Sequence, residues 1–268
     1  SSRHGSWKQG EVSMLFDSHA HLDDEAFDAD RDEVIARALS NGLAGMVNPG
    51  SCMKSSAAAL ALAEQHAAIY AAVGIHPHDA DSADEAAYEQ LLQWSRHPKV
   101  VAIGEIGLDY HYDFSPRSVQ QEVFVKQLAL AKECDLPVIL HDREAHGDIL
   151  RLVKEAGRGV RGVFHCFSGS LEMAREVLKL GFYLSVGGTL TFKNAAKLPE
   201  VVKEVPFERL LLETDSPYLT PAPYRGRRNE PLHVRLVAEK VAELRGLSVE
   251  EVARQTTANT YRCFGIAQ

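Results

Sequence analysis

The chain has 268 residues, of which 45% are apolar and 25% charged, and its formal net charge is −8. This balance is typical of a globular protein with a sizeable core, and it excludes a broad basic surface that would bind duplex DNA by charge alone. The four cysteines are far apart and form no CxxC pair, which argues against a zinc ribbon and a disulfide framework. A reducing, cytoplasmic location is therefore expected.

The sequence is interpreted as one domain that follows a short polar segment. No apolar run approaches the roughly 18 residues needed to cross a bilayer, so no membrane association is expected. The first thirteen residues, SSRHGSWKQGEVS, lack the apolar centre of a signal peptide and are interpreted as a cloning-tag remnant or a disordered polar extension. Residues 14–268 are predicted to form a single domain, because no linker or low-complexity tract interrupts them. No obligate protein partner is evident.

From Met14 onward, short runs rich in Val, Ile, Leu and Ala alternate with longer amphipathic segments, as in βα units on a parallel sheet. Eight strands are predicted, at Met14–Asp17, Gly45–Asn48, Ile69–Gly74, Val100–Gly104, Pro137–Leu140, Gly162–Phe164, Tyr183–Val186 and Leu210–Glu213. Eight units favour an α/β fold of the closed (β/α)8 TIM-like type. An open doubly wound sheet usually has fewer strands and a Gly-rich first turn.

The helices between these strands have their own boundary signals. Acidic residues within Asp28–Glu33 begin the first helix and Asn41-Gly42 ends it, matching the helix dipole and a left-handed cap. Another helix is predicted to begin at Ser170 and to end at Gly181. Longer helical patterns cover Pro116–Cys134, Pro231–Arg245 and Ser248–Phe264.

Half of the twelve histidines stand just past a predicted strand, namely His19, His21, His76, His78, His141 and His165. Active sites of βα barrels form at the carboxyl ends of strands, where distant parts of the chain converge. A metal site at that end of the barrel is therefore predicted. The remaining histidines are expected to be ordinary surface residues: His4, His66, His97, His111, His146 and His233.

The first two histidine pairs differ in what they predict. His19 and His21 are two positions apart in an extended segment, so both imidazoles can face one cation; a pair of surface histidines is the alternative. Pro77 breaks this alternation between His76 and His78, which need not be co-ligands. One of them is expected to hydrogen-bond a substrate oxyanion, and a turn in which both only cap backbone groups is the alternative.

Carboxylates end two other strands. Glu105 follows an apolar run, where a lone carboxylate is costly to bury unless it is paired or bound to metal. A bridge between two cations explains it, and a pair with Arg or Lys is the alternative. Asp215 is the candidate to bind metal and to accept a proton from the attacking water, whereas Glu213 is expected to orient a ligand histidine from behind.

The remaining strand ends supply a second cation site and an anion contact. His141 and His165 are its candidate ligands, because neutral imidazole suits zinc, manganese or iron. Cys166 is expected to be a core residue. Arg143 is a candidate to bind a phosphate through two hydrogen bonds, with a surface salt bridge as an equal alternative.

Together the motifs DSHAHL, GIHPH, GEIGLDY, HDR, HCFSG and ETDSPYL, followed by RRNEP at 227–231, resemble the TatD-type deoxyribonucleases of the amidohydrolase-like barrel superfamily. The resemblance implies a distorted TIM barrel, two divalent metal ions (zinc, magnesium or manganese) and phosphodiester hydrolysis, commonly from the 3′ end of single-stranded DNA. It matches His76 to a residue near the phosphate. It matches the metal ligands to His19, His21, Glu105, His141, His165 and Asp215.

The resulting hypothesis is a two-metal phosphodiesterase in which Asp215 takes the proton of the attacking water. Candidates for positive charge at the mouth are Arg143, Lys193, Arg225, Arg227 and Arg228. Candidates to stack unpaired bases, or else to pack the fold, are Tyr110, Tyr112, Phe167, Tyr218 and Tyr224. One rival is a two-metal hydrolase of small esters, lactones, amides or aminoacyl-tRNA. A second is a catalytically idle barrel that binds nucleic acid or a protein.

Overall fold

A computed structural model describes residues 14–268, and its strands form one parallel sheet in the order β1 to β8. The strands are Leu15–Asp17, Leu43–Pro49, Ile69–Val73, Val100–Asp109, Val138–Arg143, Gly162–Phe164, Tyr183–Val186 and Leu210–Leu212. The last strand lies against the first, where the Ser18 N–H donates to the Leu212 carbonyl oxygen over 3.0 Å. The predicted eight-stranded barrel is thus confirmed in a nearly closed form.

Nine α-helices in this described part of the chain surround the sheet. They are α1 Arg31–Ser40, α2 Met53–Gln65, α3 Glu85–Trp94, α4 Arg117–Cys134, α5 His146–Ala156, α6 Leu171–Lys179, α7 Leu198–Glu204, α8 Val234–Arg245 and α9 Val249–Phe264. Ser170 and Ser248 cap α6 and α9 by accepting hydrogen bonds from backbone N–H groups three residues on. The predicted start of α8 is wrong by one short 3-10 turn, Pro231–His233.

Three strands, β2, β4 and β5, extend further than predicted. In β4 and β5 the extension places Glu105 and His141 within the strands and not after them. The two strands stay paired as far as Asp109 opposite Arg143. Gly107 permits this close pairing: its φ is +148°, and a Cβ there would lie 1.9 Å from the His141 carbonyl oxygen. The prediction ended β4 at Gly104 because glycines interrupt its apolar pattern.

The core has two parts, which explains how the barrel presents polar groups at one end. Outward side chains of the strands pack beneath the helices in a large cluster, and a smaller cluster fills the interior. Three interior residues stand two positions before a polar residue, and therefore on the same side of the chain: Ile139 before His141, Val163 before His165 and Leu211 before Glu213. Cys263, Phe264 and Ile266, at the end of α9, pack into this interior cluster.

Within residues 14–268, no helix combines the length and apolarity that a membrane span requires. The predictions for the first thirteen residues, and for His4 among them, lie outside the described residues.

Candidate metal centre

Glu105 stands at the centre of the polar residues that the strands bring together. This carboxylate is buried and has its two oxygens directed at two different groups of side chains. We call the groups the Oε1 side and the Oε2 side. The other five residues that the sequence suggested as metal ligands lie on one side or the other, although β1 and β8 are separated by some two hundred positions in the chain.

The Oε2 side is built from the ends of β1 and β8. Glu105 Oε2 is 3.2 Å from His19 Nε2 and 3.7 Å from His21 Nε2. Asp215 Oδ1 lies 3.4 Å and 3.1 Å from the same two nitrogens. Two imidazoles and two carboxylates thus face one small space, which is a common ligand set for a divalent cation.

The Oε1 side is built from β5 and the end of β6. Glu105 Oε1 is 3.1 Å from His141 Nδ1 and 2.9 Å from His165 Nε2. His76 Nε2 approaches the same oxygen at 3.5 Å. A carboxylate with one oxygen on each side has the geometry of a bridge between two ions.

The hydrogen bonding of His19 indicates that these residues fit a metal ion. Its side chain is fully buried, and neither ring nitrogen has a hydrogen-bond partner among the described residues, although Nε2 is near two carboxylates. A buried imidazole without partners loses its interactions with water and gains nothing in return. A cation held between His19 Nε2 and the carboxylates of Glu105 and Asp215 would give that nitrogen a partner.

On the Oε1 side, carboxylates fix the far nitrogens of both imidazoles. His165 Nδ1 lies 3.2 Å from Glu213 Oε2, and His141 Nε2 lies 2.9 Å from Asp109 Oδ2. In a metal-bound centre each far nitrogen would carry the proton, which leaves the lone pair of the near nitrogen free for an ion. The sequence analysis suggested this position behind a ligand for Glu213 and missed Asp109. The signal for Asp109 was present, since it is an acidic residue inside the GEIGLDY motif.

The Oε2 side is held through the backbone. The buried Asp17 carboxylate accepts hydrogen bonds from the N–H groups of Thr214 (2.9 Å) and His19 (3.2 Å). The Asp215 N–H donates to the His19 carbonyl oxygen over 2.8 Å. Asp215 itself has a φ of +55°, a strained conformation for a residue with a side chain, and the surrounding bonds hold it there.

Burial and charge shift the pKa values of this centre in opposite directions. Burial opposes the ionised form of Glu105, yet the imidazoles of His165 and His19 hold its pKa well below the usual range. Burial raises the pKa of Asp17 to about 8, although the hydrogen bond from the Thr214 hydroxyl opposes this shift. Asp17 is thus favoured in its neutral form, whereas Glu105 is favoured as an anion.

Cys166 also lies near the centre, with its sulfur close to oxygens of Glu213 and Asp215. Burial raises the pKa of its thiol well above the ordinary value, and the neighbouring Glu213 adds to this shift. In the metal-free protein this thiol therefore keeps its proton.

Of the suggested substrate-binding residues, His76 lies nearest the centre. Burial lowers its pKa to about 4, so its imidazole is neutral. Its Nδ1 accepts a hydrogen bond from the His78 N–H over 3.0 Å, which places the ring proton on Nε2. His76 Nε2 therefore donates, which suits an oxyanion better than a metal ion, although this nitrogen lies close enough to Glu105 and His141 to share an ion with them.

His78 and Arg143 are further from Glu105. His78 Nε2 is 2.9 Å from Asp109 Oδ2, the same oxygen that His141 contacts. Arg143 is exposed at the end of β5, with its guanidinium 5.0 Å from the centre of the Tyr112 ring. It has a free face toward solvent where an anion can bind.

The RRNEP segment, residues 227–231, serves mainly to support the fold. Arg228 donates to both oxygens of Asp30 over 2.8 Å, and Glu230 accepts two hydrogen bonds from Arg37. The amide of Asn229 donates to the carbonyl oxygens of Thr214 and Tyr218, on either side of Asp215. The positive charge suggested for Arg228 is thus engaged, whereas Lys193, Arg225 and Arg227 are exposed, the two arginines lying over the rings of Phe192 and Tyr224.

The aromatic residues suggested for base stacking fall into two groups, those packed in the fold and those exposed. Phe167 is a core residue, Tyr110 is buried with its hydroxyl bonded to Asp148, and Tyr224 stacks on His233. Tyr112 and Tyr218 are exposed. Four histidines expected at the surface are partly buried, namely His66, His97, His146 and His233. Of these, His233 stacks on Tyr224, and His146 lies 3.0 Å from Asp142.

Comparisons with known proteins agree with these motifs. A family model described as TatD related DNase matches residues 16–265. The chain is 51% identical over 254 residues to the uncharacterized metal-dependent hydrolase YabD of Bacillus subtilis (strain 168), an alignment that covers 94% of this chain and 100% of that protein. It is 39% identical over 258 residues to the 3′-5′ ssDNA/RNA exonuclease TatD of Klebsiella pneumoniae (strain 342), covering 94% and 98%.

Comparison with solved structures points to the same family. The crystal structure of YJJV, a TatD homolog from Escherichia coli K12, superposes with a TM-score of 0.89 at 36% identity, covering 96% of this chain and 99% of that one. The match of the family model along nearly the whole barrel, together with these identities, is decisive. This chain belongs to the TatD-related DNase family.

Proposed function

We propose that this protein is a metal-dependent hydrolase that cleaves phosphodiester bonds, acting on single-stranded DNA from its 3′ end. The observation that carries the proposal is the position of Glu105, with one oxygen facing His19, His21 and Asp215 and the other facing His141 and His165. The exonuclease name of the Klebsiella pneumoniae relative supports the substrate and the polarity.

The residues proposed to hold two divalent ions (zinc, magnesium or manganese) are Glu105 and the five that surround it: His19, His21, His141, His165 and Asp215. When bound, such ions polarise the phosphoryl oxygens and lower the pKa of a water molecule. Glu105 contributes one carboxylate oxygen to each side and so sets the spacing between the two sides. On the Oε1 side, Asp109 and Glu213 would accept the protons of the far nitrogens, so that His141 and His165 offer their near lone pairs to the ion.

Proton transfer and phosphate binding are assigned to residues at the edge of the centre. Asp215 is the proposed acceptor of the proton from the attacking water, since its carboxylate reaches the Oε2 side and still has part of its surface exposed. His76 donates from Nε2 to a phosphate oxygen. His78 and Arg143 lie further out and are proposed to contact the substrate beyond the scissile bond.

The test is digestion of a single-stranded oligonucleotide labelled at either its 5′ or its 3′ end, with added Mg²⁺, Mn²⁺ or Zn²⁺ and with EDTA. We expect a ladder that shortens from the 3′ end and disappears with EDTA, together with two bound ions in metal analysis of the protein. Asp215→Asn is expected to remove this activity.

The matched control is Asp135→Asn, at the opposite end of the barrel, where the left-handed backbone of Asp135 accepts asparagine readily. It is expected to digest like the wild type. Cleavage of carboxyl esters but of no phosphodiester would favour the rival hydrolase. Digestion that survives both EDTA and Asp215→Asn would overturn the proposed centre.

A further inference from the structure

Two exposed aromatic rings stand beside the metal centre, on the loop between β4 and α4. Tyr112 is 50% exposed and Phe114 is 62% exposed, and their rings are nearly parallel, 5.0 Å apart with an angle of 7° between them. Exposure of rings of this size to water is unfavourable unless another group covers them. They therefore call for a functional explanation.

The rings are held in place, and the same side chains that fix the metal centre hold them. Asp109 Oδ1 accepts a hydrogen bond from the Tyr112 N–H, while its Oδ2 contacts His141 and His78. The Ser115 hydroxyl, at the other end of the loop, donates to the His78 carbonyl oxygen over 3.2 Å. The loop that carries the two rings is thus preorganised next to the centre, so ligand binding costs little conformational entropy.

The neighbours of the rings indicate what kind of ligand covers them. The His78 ring is nearly perpendicular to both rings, with its centre 4.8 Å from that of Phe114 and 5.8 Å from that of Tyr112. The Arg143 guanidinium lies over Tyr112, 5.0 Å from its ring centre. Because the two rings stack on each other, a base can extend this stack on the outer face of Phe114 while its phosphate meets the cation, and a nucleotide has both groups.

The opposite rim lacks this combination. Tyr218 is exposed beside His21, but its hydroxyl donates to Asp24, and Asp23 is adjacent in the chain. A phosphate there would meet carboxylates. The Arg143 side thus combines exposed rings with a cation, whereas the Tyr218 hydroxyl is next to carboxylates.

We propose that Tyr112 and Phe114 form a stacking platform for the unpaired base of a nucleotide adjacent to the scissile phosphate, with Arg143 binding the next phosphate. This inference rests on the proposed function and names the substrate more closely, as a strand whose bases are free to leave the helix stack. A base held in a duplex cannot offer a face to the platform. The platform thus gives the site its preference for single strands.

The test compares two single-stranded substrates, a plain oligonucleotide and one whose nucleotides near the digested end are abasic. For the Tyr112→Ala/Phe114→Ala double variant with bound metal, we expect KM for the plain oligonucleotide to rise about tenfold or more, because stacking on an aromatic ring is lost. The rise for the abasic oligonucleotide should be much smaller. The preference for single over double strands should fall by a similar factor.

Two further variants separate stacking from structural damage. Tyr112→Phe/Phe114→Tyr keeps both rings and is expected to retain the low KM. Leu39→Ala removes another exposed apolar side chain, near the end of α1 at the opposite end of the barrel, and is expected to have no effect on KM.

The outcomes distinguish this inference from the function on which it rests. If the wild type cleaves no phosphodiester, the proposed function fails and the platform fails with it. If the wild type digests the strand and the double variant shows an unchanged KM, or loses as much on the abasic substrate, the platform alone is overturned.

Discussion

The two sides of Glu105 are supported in different ways. On the Oε1 side, the far nitrogens of His141 and His165 contact the side chains of Asp109 and Glu213. On the Oε2 side, neither nitrogen of His19 has a hydrogen-bond partner within residues 14–268, and order comes from backbone bonds around Asp17 and Asp215. One side therefore depends on carboxylates behind its imidazoles, and the other on how the ends of β1 and β8 are tied.

This difference follows from the positions of the strands in the chain. β4 and β5 pair over a long stretch, so their ends can place Asp109 beside His141. β1 and β8 are both short and come from opposite ends of the sequence, and among the described residues their junction is made by individual hydrogen bonds. We expect substitutions to separate the two sides.

The largest effect is expected for Glu105→Gln, which removes the charge shared by both sides while keeping the shape. Without that charge neither ion is held well, and loss of several kcal/mol of stabilisation lowers kcat by about a thousandfold or more. Metal analysis and single-strand digestion measure the two consequences, with Asp135→Asn as the control. Retention of two ions and of nearly full activity would show that the bridge is misassigned.

The second-largest expected effect is a loss of metal affinity on the Oε1 side and not on the Oε2 side. Asp109→Asn and Glu213→Gln release the imidazoles of the Oε1 side, and removal of such supporting groups lowers metal affinity about 10- to 100-fold. Titration of metal-free protein with Mn²⁺ should show one weakened site and one unchanged site. The control is Asp113→Asn, an exposed carboxylate on the same loop that pairs with Arg117. Equal weakening of both sites would contradict the separation.

A smaller effect, on stability and not on metal affinity, is expected at Asp17. Because burial raises its pKa to about 8, the folded state retains a proton that the unfolded state gives up at lower pH. Its contribution to stability is full below the ordinary range and is lost as the pH rises through about 8. Asp17→Asn keeps an acceptor for the two backbone N–H groups. Its NH2 group stands where an Asp17 oxygen accepts from the Thr214 hydroxyl, which can then donate to the Ser216 hydroxyl.

Urea unfolding of the metal-free proteins, at about pH 5 and about pH 8.5, tests this prediction. We expect the wild type to lose stability relative to Asp17→Asn as the pH rises. Asp17→Ala leaves buried N–H groups unpaired and should be less stable by about 1–3 kcal/mol at both values. A pH dependence of Asp17→Asn like that of the wild type would assign the shift to another group.

The smallest effect concerns the arginines of the rim. Arg228 is engaged by Asp30, so Arg228→Ala should leave KM for single strands unchanged. Arg143 has a free face, and Arg143→Ala should raise KM about two- to fivefold at low salt, with less effect at high salt. Steady-state digestion at two salt concentrations measures both. A larger effect at Arg228 than at Arg143 would reverse the assignment of the substrate path.

Much of the fold was predictable from local patterns. Eight apolar runs separated by amphipathic segments predicted the barrel, and Ser170 and Ser248 marked where α6 and α9 begin. Strand ends were less certain. The continuation of β4 past Glu105 was not predicted, because its glycines do not fit an apolar strand pattern. Only the pairing with β5 shows that Gly107 allows the strand to continue.

The sequence by itself determined which residues are candidates for the centre, because the chemistry of imidazole and carboxylate, and their position near strand ends, are local properties. The tertiary structure decided how they are arranged. It gave Glu105 two sides, placed Asp109 behind His141, engaged Arg228 with Asp30 and left Tyr112 and Phe114 exposed. These arrangements depend on distances between residues far apart in the chain, which local patterns do not contain.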